Sequence, residues 1–239
     1  MKIIISPAKT IDEKADFDYI KTKPKYLSKA KELYDYLLTL DKKELKAIYG
    51  ASDKIIDKAY RDLRRYDITN GHISALFGYD GIQYKAMAPS ILDDEALRYL
   101  DEHLLIVSGL YGILHPFDQI IPYRLEMGQK LLGYKQEDLY AYWNDLYKEI
   151  GNDLLIDLAS NEYSKAIVPH LKKDSVVTIV FLNDDKVKAT YAKKARGAFV
   201  RYLSINKITE VKDMVNFKDL NYHIDRERSD DHTLYFIGG

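Results

Sequence analysis

The sequence predicts a mixed α/β fold, with a central mixed sheet flanked by helices and a helical-hairpin lobe near residues 28–66. Three observations carry that expectation. Short, β-branched apolar runs at residues 2–5, 104–107 and 175–182 have the length of buried strands. Between them, apolar residues recur at helical spacing, as in Ala30, Leu33, Tyr34, Leu37 and Leu38. The chain shows no internal repeat, low-complexity segment or linker, so its 239 residues are read as one domain spanning 1–239.

In chain order, Lys2-Ile3-Ile4-Ile5 forms a strand stopped by Ser6-Pro7, because proline cannot donate to a ladder. Lys9 stands at its exit as either a site cation or a solvated lysine. Residues 16–25 are charged and aperiodic, hence loop. A helix is expected over 28–40. Asp41 caps the next, with Glu44 completing a capping box and Gly50 closing it. Ser52 caps a third, carrying Ile55, Ile56, Ala59, Tyr60 and Leu63 on one stripe. The 41–66 segment has the outline of a helix–hairpin–helix, whose turn can grip a phosphate, but one glycine and the acidic Asp53 near the turn fit the commoner packing hairpin better.

Residues 72–76 are expected as a short strand, 77–81 as a turn and 82–86 as extended chain. Asp93 caps a helix that delivers the chain to the strand at Leu104. That strand breaks at Ser108-Gly109-Leu110-Tyr111-Gly112. Pro116 and Pro122 stiffen the loop beyond it, and Tyr123-Arg124-Leu125-Glu126 sets a phenol, a guanidinium and a carboxylate close together. A strand running into a stiff polar loop is a common way for α/β proteins to build a site, although an internal Arg–Glu brace reads equally well. Residues 136–150 carry the clearest amphipathic pattern: Leu139, Tyr142, Trp143, Leu146, Tyr147 and Ile150. Residues 154–160 fit strand or helix, and 161–165 open a short helix ended before Pro169. Residues 175–182 form a strong strand, with 186–191 expected as its hairpin partner. Helices over 192–205 and from a Thr209 cap to Phe217 precede a last strand at 233–237.

Composition narrows the chemistry. Net charge is −1, so nucleic-acid binding would need a local basic face. Such a bias exists between Lys186 and Thr209, with seven cations and no acid: Lys186, Lys188, Lys193, Lys194, Arg196, Arg201 and Lys207. Gly197 within that segment permits close approach of a backbone or a ligand. Without cysteine there is no disulfide, thiolate nucleophile, Cys-based metal site or thiol peroxidase chemistry. The six histidines show no metal-ligand spacing, and no P-loop, GxGxxG or GxSxG occurs, so neither metal nor cofactor is expected. No apolar run has the length of a membrane span, and the start lacks a secretory profile, so a cytoplasmic protein with no membrane partner is expected.

Ser6-Pro7-Ala8-Lys9-Thr10, the run from Leu104 to Leu114, Pro122-Tyr123-Arg124-Leu125-Glu126-Met127-Gly128, Leu158-Ala159-Ser160-Asn161-Glu162-Tyr163 and Lys193-Lys194-Ala195-Arg196-Gly197 stand in order along nearly the whole chain. Together these stretches resemble the YaaA-type peroxide stress resistance proteins. Two departures stand out. His115-Pro116 replaces the family's Arg-Pro, and its GDVYxG pattern appears as Tyr79-Asp80-Gly81-Ile82-Gln83-Tyr84-Lys85-Ala86. The resemblance implies a cytosolic protein that keeps unincorporated iron low, suppresses Fenton damage and binds DNA through a basic cleft and a helix–hairpin–helix. With it, Lys193, Lys194, Arg196 and Arg201 are expected to contact phosphates of double-stranded or structured DNA. Ser6, Lys9, Ser108, Tyr111, Tyr123 and Arg124 are expected to line the cleft. The alternative is an enzyme on a small phosphorylated or nucleotide-like substrate, with Lys9, Arg124 and Glu126 as candidate catalytic residues.

Overall fold

The computed structural model describes residues 1–15 and 19–238. Part of the loop expected over 16–25 therefore lies outside the described residues. Strand β1 (Lys2–Ile5) runs to helices α1 (Leu27–Thr39), α2 (Lys42–Tyr49) and α3 (Asp53–Arg65). The capping box forms as expected: Asp41 accepts from the Lys43 and Glu44 amides, and Glu44 reaches back to the Asp41 amide at 2.8 Å. Gly50 ends α2 in the left-handed conformation, φ 56°. Ser52 precedes α3 without a side-chain capping bond.

Next come β2 (Ile73–Ser74), α4 (Ala75–Gly78), α5 (Ile82–Met87) and α6 (Asp94–His103), the last capped by Asp93 accepting from the Ala96 amide. The extended chain expected at 82–86 is thus helical, because a six-residue segment is too short for periodicity to decide and packing against a later helix decides it. Only two residues of the strand expected at 72–76 are extended, paired antiparallel with Gln119 and Ile120.

β3 (Leu104–Ser108) is wholly buried and turns through β4 (Gly112–Leu114) to β5 (Gln119–Ile120). The amphipathic stretch at 136–150 forms only one helical turn, α7 (Leu139–Tyr142), and then a 3-10 turn at Leu146–Glu149. Its apolar stripe is still core. Trp143 is fully buried, leaves helical geometry at φ −99°, ψ 30°, and donates its indole N–H to the Gly109 carbonyl at 2.9 Å. That anchor bends the chain around the β3–β4 turn.

The ambiguous 154–160 segment contains strand β6 (Leu155–Asp157), followed by α8 (Asn161–Ser164) and β7 (Val176–Leu182). The hairpin partner expected at 186–191 is absent. Lys186 returns only as far as a bridge with Asn183, and α9 (Ala189–Ile205) begins three residues before the expected start. After α10 (Val211–Met214), shorter than expected and without a Thr209 cap, come β8 (His223–Asp225) and β9 (Thr233–Ile237). β9 is the real neighbour of β7, in parallel.

Seven strands form one sheet in the order β4-β3-β1-β6-β7-β9-β8, parallel from β3 to β9 and antiparallel at both edges. Helix α6 packs on β1 and β3, while α9 packs on β7, α5 and α6. No helix among the described residues is long and apolar enough to cross a membrane. The topology positions the site. From β1 the chain proceeds to β3 on one side, and from β6 to β7 on the other. At such a switch point the loops leaving the two carboxyl ends part and leave a crevice between them.

Candidate functional site

The first structural wall of the site is the β1 exit, Ser6 to Thr10. The second is a strap, residues 122–128, held across the β3–β4 turn. Its far end is tied to the β6 exit, where the Gly128 amide donates to Glu162 Oε1 at 2.8 Å. Between strap, β1 exit and the inner face of α3 lies a cleft of about 600 Å³. Lys9, Lys54, Lys58, Arg61 and Arg124 supply its cations and Asp62 its carboxylate. Lys54, Lys58 and Arg61 are spaced i, i+4, i+7, which puts all three on one face of α3. Lys58 bonds to Asp62 at 2.6 Å and to Glu13 at 3.0 Å. Lys54 and Arg61 make no ion pair with any described residue.

Lys9 also lines a second, adjoining pocket of about 320 Å³, which occupies the β1/β6 switch point. Its wall includes Ser6, Gln83, Glu126, Ser160, Lys193 and Arg196. Four of the predicted residues, Ser6, Lys9, Lys193 and Arg196, therefore meet here with Glu126. Arg124 lies on the cleft side and is linked across: Glu126 Oε2 is 2.6 Å from Lys9 Nζ, and Glu126 Oε1 is 3.3 Å from the Arg124 guanidinium. The Arg124 Nε is buried without a partner among the described residues.

Ser108 and Tyr111 do not reach either surface. Both are fully buried behind the strap. The Ser108 hydroxyl accepts from the Leu110 and Tyr111 amides and meets the Tyr123 hydroxyl at 2.7 Å; Tyr123 in turn meets Tyr79 at 2.6 Å. Burial pushes the Tyr123 hydroxyl up to about 12, against the hydrogen bonds from Ser108 and Tyr79. Tyr123 thus stays a neutral phenol that fixes the strap. Lys194 and Arg201, seven apart on α9, share a different face from Lys193 and Arg196. Lys194 makes no ion pair with a described residue, and Arg201 bonds to Asp219 at 3.3 Å.

Sequence reasoning missed Lys54, Lys58 and Arg61, although their spacing on one helix face was visible. It also missed Gln83 and Ser160. Both lie in stretches compared with the family pattern, but nothing in the chain's own spacing sets either apart as a site residue.

A family model described as "Peroxide stress protein YaaA" matches residues 1–228. The chain belongs to this family. UPF0246 proteins are similar over nearly the whole of both chains. That of Lacticaseibacillus paracasei is 41% identical over 99% of each chain. Those of Lactiplantibacillus plantarum and Desulfitobacterium hafniense are 40% and 39% identical, covering 99% of this chain and 99% and 98% of their own. The YaaA match spans every element that builds the two pockets, from β1 through α9.

Proposed function

We propose that this YaaA-family protein acts in the cytoplasm under peroxide stress, limits iron-driven damage, and binds double-stranded or structured DNA through its basic cleft. The observation that carries this reading is the α3 face. Lys54, Lys58 and Arg61 stand across the cleft from Lys9 and Arg124, and Lys54 and Arg61 form no ion pair with a described residue. Lys193 and Arg196 extend the positive lining into the next pocket, and exposed Lys194 stands outside it, within the same helix. A polyanion laid along this surface would release counterions at several points, so binding should fall steeply with salt. The turn between α2 and α3 would present its amides to a phosphate, as a helix–hairpin–helix does.

Fluorescence anisotropy with a labelled duplex across a salt series tests the reading. The wild type is expected to bind at low ionic strength, and the Lys54→Ala/Arg61→Ala and Lys193→Ala/Lys194→Ala pairs to flatten the salt slope by about one unit per contact removed. Absent affinity, or affinity indifferent to these changes, would overturn it. An iron titration of the pure protein checks whether any protection involves binding iron directly.

A second reading, an enzyme acting on a small phosphorylated or nucleotide-like substrate, is favoured by size. The cleft's volume of about 600 Å³ falls in the range of small-molecule sites. Lys9, Arg124 and Glu126 would be its catalytic residues, and turnover of phosphorylated metabolites that is lost in Lys9→Ala would support it.

A further inference from the structure

Arg196 lies two turns into α9 with its Nε fully covered and unpartnered. Its guanidinium makes no hydrogen bond and no ion pair with any described residue. The carboxylate that acts on it is Asp157, at the end of β6, and Asp157 is already engaged. Its oxygens accept the Ser164 hydroxyl at 2.8 and 2.7 Å, and one of them also accepts the Ala159 amide at 3.0 Å. A guanidinium carries five N–H donors and keeps its charge at any physiological pH. Leaving the covered Nε unanswered is costly, and an anion held in the fork offsets that cost.

The surroundings are built for that anion. Gln83, 6% exposed, lines the same crevice and carries a second covered donor, its Nε2, without a partner among the described residues. Lys193, one turn earlier on α9, lines the crevice and has no ion pair with a described residue. Ser6 Oγ accepts the Ser160 amide at 2.9 Å and donates to Ser160 Oγ at 3.2 Å, which leaves the Ser160 hydroxyl proton free. The carboxylates of the crevice are held elsewhere: Glu126 by Lys9 and Arg124, Glu162 by the Gly128 amide, Asp80 by Lys85 at 2.9 Å. None of them answers Arg196.

We propose that the crevice between the carboxyl ends of β1 and β6 is a phosphomonoester site. Arg196 holds two phosphate oxygens in its fork, Lys193 adds the second positive charge, and the Ser160 hydroxyl and Gln83 amide supply further donors. A dianion with three terminal oxygens matches two cations and two neutral donors better than a carboxylate does. The phosphate is either that of a free, nucleotide-sized molecule or the terminal phosphate of a strand. The site does not depend on duplex binding in the neighbouring cleft.

The test is thermal denaturation of the full chain in chloride buffer of constant ionic strength, with inorganic phosphate, adenosine 5′-monophosphate (AMP) or adenosine. At ten times Kd the monophosphate should raise Tm by about 3–5 °C, and adenosine should not. Arg196→Met should abolish the response while leaving the ligand-free Tm unchanged or higher, because it removes an unpaired charge. Arg196→Lys, which keeps the charge and loses the fork, should weaken binding about tenfold. Lys54→Ala/Arg61→Ala should keep the response to AMP whatever it does to duplex binding. A 5′-phosphorylated oligonucleotide binding tighter than its 5′-hydroxyl twin identifies a strand end as the source; equal binding, with AMP active, identifies a free phosphomonoester. No shift with phosphate or AMP, or an undiminished shift in Arg196→Met, overturns the proposal.

Discussion

Lys9 Nζ stands 2.6 Å from Glu126 Oε2, and the same carboxylate holds Arg124 through its other oxygen at 3.3 Å. One half-buried acid therefore restrains two cleft cations, and they differ in freedom. The Lys9 side chain is 63% exposed and can swing to an incoming anion, whereas Arg124 is 18% exposed and held in the strap. Glu126→Gln should release both. The expected result is duplex affinity about three- to tenfold higher at low salt, with a slope of log K against log salt steeper by about one. Lys9→Ala should shift both the other way. Anisotropy titrations at three or more salt concentrations check this, and an unchanged slope in both variants would remove Lys9 from the binding surface.

Gly197 brings α9 against the backbone of α5. A β-carbon there would overlap the Gln83 carbonyl oxygen and crowd the Ala86 side chain. The obstacle is backbone, so it cannot rotate away, and the two helices must separate. Gly197→Ala should cost about 1–3 kcal/mol. Urea denaturation should show a lower midpoint with an unchanged m-value. Because the same contact sets Gln83 beside Arg196 in one wall, the monophosphate response should weaken as well. Full stability in this variant would mean that α5 and α9 do not pack as described.

Glu13 links the β1 exit to α3. It accepts the Tyr66 hydroxyl at 2.6 Å and Lys58 at 3.0 Å. The Tyr66 hydrogen bond, then that from Lys58, holds the Glu13 carboxyl below its ordinary value. A depressed folded pKa stabilises above the unfolded pKa, and that stability is lost as pH falls through the folded value. Glu13→Gln should therefore lower Tm at pH 7 by about 1–3 °C, the size expected of a partly exposed pair. The gap between variant and wild type should close as pH drops below about 4, near the ordinary glutamate range. Calorimetry at pH 7, 5 and 3 checks it. A gap that stays constant to pH 3 would assign the effect to packing instead of charge.

The site was legible in the sequence to different depths. Lys9 and Arg196 stand out because each belongs to a recognisable feature, a strand exit and a dense basic segment. That Lys193 and Arg196 separate from Lys194 and Arg201 is a matter of helical spacing once α9 is known to be one helix. Ser108 and Tyr111 read as cleft lining because they sit in a glycine-rich turn, but the strap covers them and turns their hydroxyls inward. No local pattern tells which side of a turn a later segment will cover.

By itself the sequence determined what local chemistry can determine. Asp41 and Glu44 form their capping box, Asp93 caps α6, and the apolar runs at Leu104 and Val176 become strands, because each depends on neighbours a few residues away. Tertiary structure alone decided the rest. The segment at Ile82 is a helix because α9 lies against it, and the stripe around Trp143 breaks because its indole is anchored to Gly109. β7 takes β9, some fifty residues away, in preference to the adjacent chain. The crevice at Arg196 exists only because β1 and β6, more than 150 residues apart, lie side by side and send their loops in opposite directions. Such pairings are settled by burial and packing summed over the whole sheet, and no single stretch of chain carries that information.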